Sequence, residues 1–439
     1  MNKDELKNVQ LAIHDLIEHE QYDTALPIIN EVLEVYPDDA ATLNFLGYIW
    51  LMGDKPALAY QYFRRALQEQ PGNKSLWANL GRACHELTDY EQALTYFLKA
   101  AELDNNYAMA YSNASAALVH MSRWKDAQEA ATMALECNPN DLNAQMNLSH
   151  CYFAQGEWDK GWIEWDKSLG GKFRKEWHYG DETRWDGQPN KDIIIYGEQG
   201  LGDEIFFASC LNDAIDISNK VYLDCDPKLE GLFKRSFPNA EVHGTRRDDG
   251  PEWLEGKVFD HRCGLGGVGQ FFRHTNKDFI NKPYLTADPE RRKMWRALFD
   301  SYGKKVIGLT TQGGMKNTNL KGRQLTKEDL EPLLKQDYVF VSLDYKVEEQ
   351  IPGVKYFPFA TQSNDYDDTA ALIAELDMVI GVNTTAQHCA SALGVKTLCL
   401  VPKYHQWRYA QPSMPWYRSM RIIYQEDKTW RQVIEQLNL

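Results

Sequence analysis

A period of 34 residues runs through the first 170 or so positions and constrains the fold more than any other feature of the chain. Ala25, Ala59, Ala93 and Ala127 stand one period apart, and Gly161 continues the series. Pro37, Pro71 and Pro139 keep the same step, with Asn105 at the missing place. Gly47 and Gly81 are followed in phase by Ser115 and Ser149, and Phe63, Phe97, Ala66, Ala100 and Ala134 obey the same spacing. Small residues at fixed phase let two helices of a hairpin cross closely, aromatics fill the gap to the next hairpin, and proline stops the second helix. The expected architecture is an α-solenoid with units near 6–39, 40–73, 74–107, 108–141 and 142–175.

These residues resemble the tetratricopeptide (TPR) repeat. The resemblance implies a binding scaffold that curls into a groove lined by the first helix of each unit. Asn79, Asn113 and Asn147 also repeat at 34. An asparagine amide both donates and accepts, so a ladder of exposed amides could hold an extended peptide or protein acceptor without reading its sequence. The TPR region of protein O-GlcNAc transferases has a similar ladder; asparagine is also simply common at this repeat position, and the first full unit carries Phe45 instead. From 156 to 189 the repeat decays into Trp158, Trp162, Trp165, Trp177 and Trp185, the composition expected of a cap that hides the last hairpin's open face.

Charge narrows the partners. Residues 1–175 hold 15 Lys and Arg against 25 Asp and Glu, in a chain of net charge −15. A surface so acidic repels phosphate backbones, which argues against nucleic acid as a partner, and the Arg246–Arg247 pair is too small to reverse that. A basic peptide suits the stack better. The opening MNKDELKNVQ has no apolar core of a leader, and no apolar run reaches the length of a membrane span, so the expected location is the cytoplasm. The eight cysteines include no C-x-x-C pair and read as reduced core residues.

After Trp185-Asp186-Gly187-Gln188-Pro189 the periodicity changes. Apolar runs at Ile193–Tyr196, Val221–Cys225, Val258–Phe259, Val306–Thr310, Val339–Leu343, Met378–Val382 and Thr397–Val401 alternate with helical stretches, which implies parallel sheets. The expected layout is a 1–175 repeat domain, a 176–189 cap, and two Rossmann-like halves, 190–289 and 290–439, hinged near Pro289. Two strand-to-helix junctions stand out. In Gly197–Glu204 the glycines Gly200 and Gly202 permit a tight turn close to a ligand, and Asp203 opens the helix. In Val382–His388, Thr384 and Thr385 can cap a helix whose free amides suit a phosphate, with His388 one turn in. Gly264–Gly269 satisfies G-x-G-x-x-G, yet it lacks a following helix and an acidic residue about 20 further on, which argues against nicotinamide binding.

Taken in order, the G-x-G-D turn, Asp368–Leu372 (DTAAL), Gly381–Gly394 (GVNTTAQHCASALG), Trp407–Tyr409 (WRY) and Pro415–Arg421 (PWYRSMR) resemble bacterial TPR-glycosyltransferases of the heptosyltransferase-like group. The resemblance covers essentially the whole chain, and protein O-GlcNAc transferases share the architecture more distantly. It implies a GT-B fold with a nucleotide-diphospho sugar as co-substrate, no metal and no resident cofactor, and inversion in one displacement. By position, Asp203 matches the general base, with Glu198 and Glu204 next in line. Arg323 matches the cation that neutralises the leaving diphosphate, and Asn383, Thr384, Thr385 and His388 match the phosphate-side loop. The chain departs from the pattern in having Asn383 and Gln406 where the family usually has aspartate, and in a looser Thr311–Thr318 segment. Two other functions remain open: a TPR adaptor whose α/β half binds nucleotide without turnover, and a transferase acting on a glycan or a modified nucleotide.

Overall fold

Each repeat folds as a pair of antiparallel helices because its small and large residues are matched in phase. The computed structural model describes residues 2–246, 250–313, 322–347 and 349–437. It contains ten consecutive N-terminal helices: α1 (Lys3–Glu18), α2 (Tyr22–Val35), α3 (Ala40–Met52), α4 (Pro56–Glu69), α5 (Lys74–Glu86), α6 (Tyr90–Leu103), α7 (Ala108–His120), α8 (Trp124–Cys137), α9 (Leu142–Ala154) and α10 (Trp158–Lys167). The periodic alanines Ala25, Ala59, Ala93 and Ala127 are wholly buried. A Cβ built on Gly47 would lie 2.6 Å from the Phe63 ring, and one on Gly81 would lie 2.4 Å from Phe97, so the aromatics demand glycine at those places. Where the next unit carries Ala131 in the phenylalanine phase, Ser115 takes the glycine phase. Asp39, Asn73 and Asp89 cap α3, α5 and α6 through their side chains.

A second set of positions shares the period. Glu20, Asp54, Thr88, Ser122 and Gly156 hold φ of 57°, 56°, 63°, 55° and 76°, one left-handed residue at the turn of every hairpin. Only the last is glycine, so the set is invisible as a composition pattern.

The chain divides into two compact units, Met1–Cys151 and Tyr152–Leu439. That division lies inside α9, earlier than the 175 expected of the repeats. The tryptophans of α10 account for it. Trp158 Nε1 donates to Asn276 Oδ1 at 2.6 Å, Trp162 Nε1 to the Arg273 carbonyl at 2.7 Å, and Trp165 Nε1 to the Gly266 carbonyl at 2.8 Å. All three rings are buried, so α10 packs as part of the α/β unit.

That unit contains two all-parallel sheets. The first joins β1 (Thr183–Arg184), β2 (Asp192–Tyr196), β3 (Lys220–Asp224), β4 (Ala240–His243) and β5 (His261–Gly264) in the order β1-β5-β2-β3-β4. The second joins β6 (Val306–Thr310), β7 (Val339–Ser342), β8 (Val354–Lys355), β9 (Met378–Val382), β10 (Thr397–Val401) and β11 (Met420–Tyr424) in the order β11-β10-β9-β6-β7-β8. In each sheet the winding reverses beside the first long strand, between β2 and β5 and between β6 and β9. Strands β6, β9 and β10 are buried along their whole length, the burial pattern of a sheet covered on both faces.

The run Val258–Phe259 is not a strand. Val258 is 84% exposed while Phe259 plugs a cluster with Ile194 and Tyr222, and the strand forms two residues later as β5. Pro289 is the first residue of helix Pro289–Asp300, capped by Asp288, rather than a free hinge. The glycines of 264–269 serve packing: a Cβ on Gly264 or Gly266 would strike Glu198, and one on Gly269 would strike Trp162. Among the described residues no helix is long and apolar enough to cross a membrane.

Candidate functional site

The carboxyl ends of both sheets face a single cleft of about 470 Å³. Such strand ends, at the point where the winding reverses, are where open α/β sheets bind ligands. One wall is the turn after β2, contributing Gly200, Gly202 and Asp203; the other contributes Arg323, Asn383, Thr384, Thr385 and His388. Every residue that the sequence assigned first to the base or to the phosphate side therefore lines this cleft. Of the loose segment, Thr311–Gly313 is described and 314–318 lies outside the described residues, as do Arg247 and Lys321.

Gly202 explains how the walls meet. A Cβ there would lie 2.8 Å from Thr385 Oγ1, so only glycine lets the helix Leu201–Phe207 abut the helix Thr385–Ala392. The space that the sequence suggested for a ligand is filled by a neighbouring side chain. Gly381, at φ 144°, plays a similar part at the end of β9, where any Cβ would collide with the Thr310 carbonyl.

Asp203 is not a free carboxylate. Its Oδ2 accepts from the Gly200 N–H at 3.2 Å, and its Oδ1 accepts from Arg408 Nη2. Its side chain is 28% exposed and that of Arg408 10%. Arg408, from the short turn Trp407–Tyr409, stacks its guanidinium 4.5 Å above the Phe206 ring. The sequence contained the W-R-Y signal without indicating that its arginine reaches Asp203.

The other two carboxylates of the turn are removed from the cleft. Glu198 forms a wholly buried pair with Arg174, whose guanidinium lies 4.0 Å over Trp165. Glu204 is held between Arg246 at 2.5 Å and the Asp226 N–H at 2.8 Å, and burial pushes its carboxyl up to about 8. Neither can reach a substrate in the cleft, so the expectation that they stand next in line as base fails on burial.

Across the cleft, Thr384 occupies the N-cap of Thr385–Ala392 with extended backbone, but its hydroxyl makes no capping bond. The first-turn amides are thus left for another acceptor. Arg323 donates to the Asn383 carbonyl at 3.3 Å, and among the described residues no carboxylate pairs with it. Burial is the main cause of its lowered pKa. A half-buried guanidinium without a counter-ion favours an anionic ligand. His388 differs from expectation. Tyr417 OH lies 3.2 Å from its Nδ1 and Tyr409 OH 3.1 Å from its Nε2. Burial, with Arg408 nearby, pushes the imidazole down to about 3, so it is neutral and braces the wall rather than supplying charge. Among the described residues, the remaining charged groups on the lining are Lys228, Lys346 and Asp344, the last holding Thr311. Among the described residues, four cations therefore face two carboxylates in a chain of net charge −15.

The asparagine ladder lies in the first unit. Asn79 donates to Asn44 Oδ1 at 2.8 Å, and Asn147 donates to Ser115 Oγ at 2.7 Å; both are buried, while Asn113 is half-buried. Two of the three are therefore ties between successive hairpins and not free surface groups.

Two overlapping tetratricopeptide-repeat family models match this unit, over residues 11–74 and 51–118. Residues 11–118 are tetratricopeptide repeats. The chain is 27% identical over 421 residues to Protein FlbA of Caulobacter vibrioides, spanning 89% of this chain and 70% of that protein. It is 30% identical over 105 residues to the human Protein O-mannosyl-transferase TMTC3, spanning 21% of this chain and 12% of that one. The crystal structure of TTC0263, a thermophilic TPR protein of Thermus thermophilus, is 19% identical with a TM-score of 0.34, covering 38% of this chain and 91% of its own.

Proposed function

We propose that the chain is a metal-independent inverting glycosyltransferase of GT-B architecture, with residues 190–289 and 290–439 as its Rossmann-like halves. A nucleotide-diphospho sugar is its co-substrate, held mainly by the second half. The observation that carries this reading is the cationic cleft at the strand ends, where one carboxylate, Asp203, faces a helix N-terminus and an arginine without a counter-ion. The order of the second sheet supports it, being that of doubly wound nucleotide-binding folds.

In this mechanism the acceptor hydroxyl oxygen attacks the anomeric carbon. The new C–O bond forms as the bond to the diphosphate oxygen breaks, with inversion, and the hydroxyl proton passes to Asp203. Arg323, Arg408 and the amides opening Thr385–Ala392 take up the charge that develops on the departing diphosphate. These groups supply the positive charge that a divalent ion provides elsewhere. The TPR unit, 1–175, would select a peptide or protein acceptor, and 176–189 would cap it. Asn383 and Gln406 keep hydrogen-bonding capacity on the donor side without adding a negative charge.

Calorimetric titration with UDP, GDP, ADP, CDP and dTDP, with and without chelator, tests the reading. Binding of at least one in both conditions is expected. Strict dependence on magnesium or manganese would overturn metal independence, and no binding at all would overturn the reading. The engagement of Asp203 by Arg408 favours one alternative, an adaptor that binds nucleotide without turnover; mass spectrometry of protein, glycan and nucleotide acceptors incubated with nucleotide sugars separates these.

A further inference from the structure

Arg408 joins two walls that belong to different sheets. It follows β10, yet its guanidinium pairs with Asp203 after β2, 205 residues away in sequence. Its guanidinium lies 4.5 and 5.5 Å from the ring centroids of Phe206 and Phe207, an attraction that holds the cation without using its hydrogen-bond donors. Its Nε is buried without a hydrogen-bond partner, so the present position leaves one of its donors unused. It shares the cleft with Arg323, and the like charges of the two arginines oppose each other. The cluster of Asp203, Arg323 and Arg408 carries one excess positive charge, and Asp203 is the only acidic group on the described cleft lining that pairs with either arginine.

We infer that Arg408 is a shared ligand, contested between Asp203 and the diphosphate of a bound nucleotide. Without nucleotide the arginine neutralises Asp203. A diphosphate seated on Arg323 and the helix Thr385–Ala392 offers a denser negative charge, draws the guanidinium across, and leaves Asp203 an unpaired carboxylate facing the acceptor. The base is thereby armed only when the donor is present. This rests on the reading of the cleft as a diphosphate site and adds an order of events to it: donor first, acceptor second.

Competition has a signature that simple binding lacks. In calorimetric titrations with the nucleoside diphosphate that binds wild-type protein, Arg408→Met should weaken affinity by at least about 10-fold, the scale of one charge-assisted contact. Asp203→Asn should tighten it by about 5-fold or more, because the competitor for the arginine is gone. In the double variant the gain should vanish and affinity should equal that of Arg408→Met alone. If Asp203→Asn left affinity unchanged or weaker, the contest would be overturned while the diphosphate site stood. A gain that persisted beside Arg408→Met would also overturn it, since mere removal of a negative charge would then explain the effect. Should Arg408→Met fail to fold, Arg408→Gln, which removes the contested charge but keeps a polar head, takes its place in the same comparison. Failure of every nucleoside diphosphate to bind wild-type protein would instead sink the underlying function.

Discussion

Asp203 does two jobs that one substitution can separate. Its carboxylate closes the first turn of helix Leu201–Phe207 through the Gly200 N–H and pairs with Arg408. Asp203→Asn keeps the shape and an acceptor for the turn, so stability should change by no more than about 1 kcal/mol. A general base typically contributes about 10²–10⁴-fold, so kcat should fall at least about 100-fold. A folded variant retaining more than about a tenth of wild-type turnover would place it outside that range, and Glu198 and Glu204 are too deeply paired to substitute. His388 makes a separate prediction. Its folded pKa of about 3 lies below the ordinary 6.5, so the neutral form is the one the fold prefers. Its contribution is complete above pH 6.5 and is lost as pH falls towards 3. Between about pH 7 and about pH 5 that loss is about 2 kcal/mol. Urea unfolding of His388→Gln should show a fall smaller than wild type by about this amount; equal falls in the two proteins would mean the imidazole is not held neutral.

At the scale of elements, the helical hairpins owe their geometry to two interleaved sets of positions. The small residues and their aromatic partners are legible because composition changes with phase. The left-handed turn residues are not, because Glu20, Asp54, Thr88 and Ser122 share a conformation but not one residue type, being two carboxylates and two hydroxyls. A β-branched residue at φ 63° is the most strained of them. Thr88→Gly should therefore stabilise the repeat unit by about 0.5–1 kcal/mol, the left-handed penalty less glycine's extra chain entropy. Chemical denaturation measures this, and destabilisation would show that the Thr88 side chain has a packing role. Among the strands, β6, β9 and β10 announced themselves because both faces are buried and the run is continuously apolar. Strands β4 and β11 escaped notice because they mix Glu241, His243 and Arg421 with apolar residues at partly exposed positions. β5 was misplaced because Phe259 is apolar for a cluster beside the sheet and not for a strand.

At the scale of the whole molecule, the more acidic stretch and the proposed phosphate-handling groups lie in different parts of the chain. The groups proposed to handle phosphate all lie after residue 190, and the acidic repeats and the asparagine ladder lie before it. Replacing Asn79, Asn113 and Asn147 together by alanine tests whether the ladder holds an acceptor. Because Asn79 and Asn147 tie hairpins together, the triple variant should lose about 1 kcal/mol for each of those two bonds. If the ladder also holds the acceptor, KM for a protein acceptor should rise while nucleotide affinity stays the same. An unchanged acceptor KM in a folded variant would leave the asparagines as inter-hairpin ties alone.

The sequence by itself determined the repeating hairpins, the change to parallel α/β structure after residue 190, and the two junctions whose residues now line one cleft. These follow from local rules: the period of small residues, the apolar strand run, and the glycine or threonine that opens a helix. Tertiary structure alone decided which glycines serve packing, that His388 is neutral between two tyrosines, that Glu198 and Glu204 are sealed behind the wall, and that Arg408 reaches Asp203. Each of these depends on groups distant in sequence, where burial and pairing set charge and reach. No spacing along the chain encodes them.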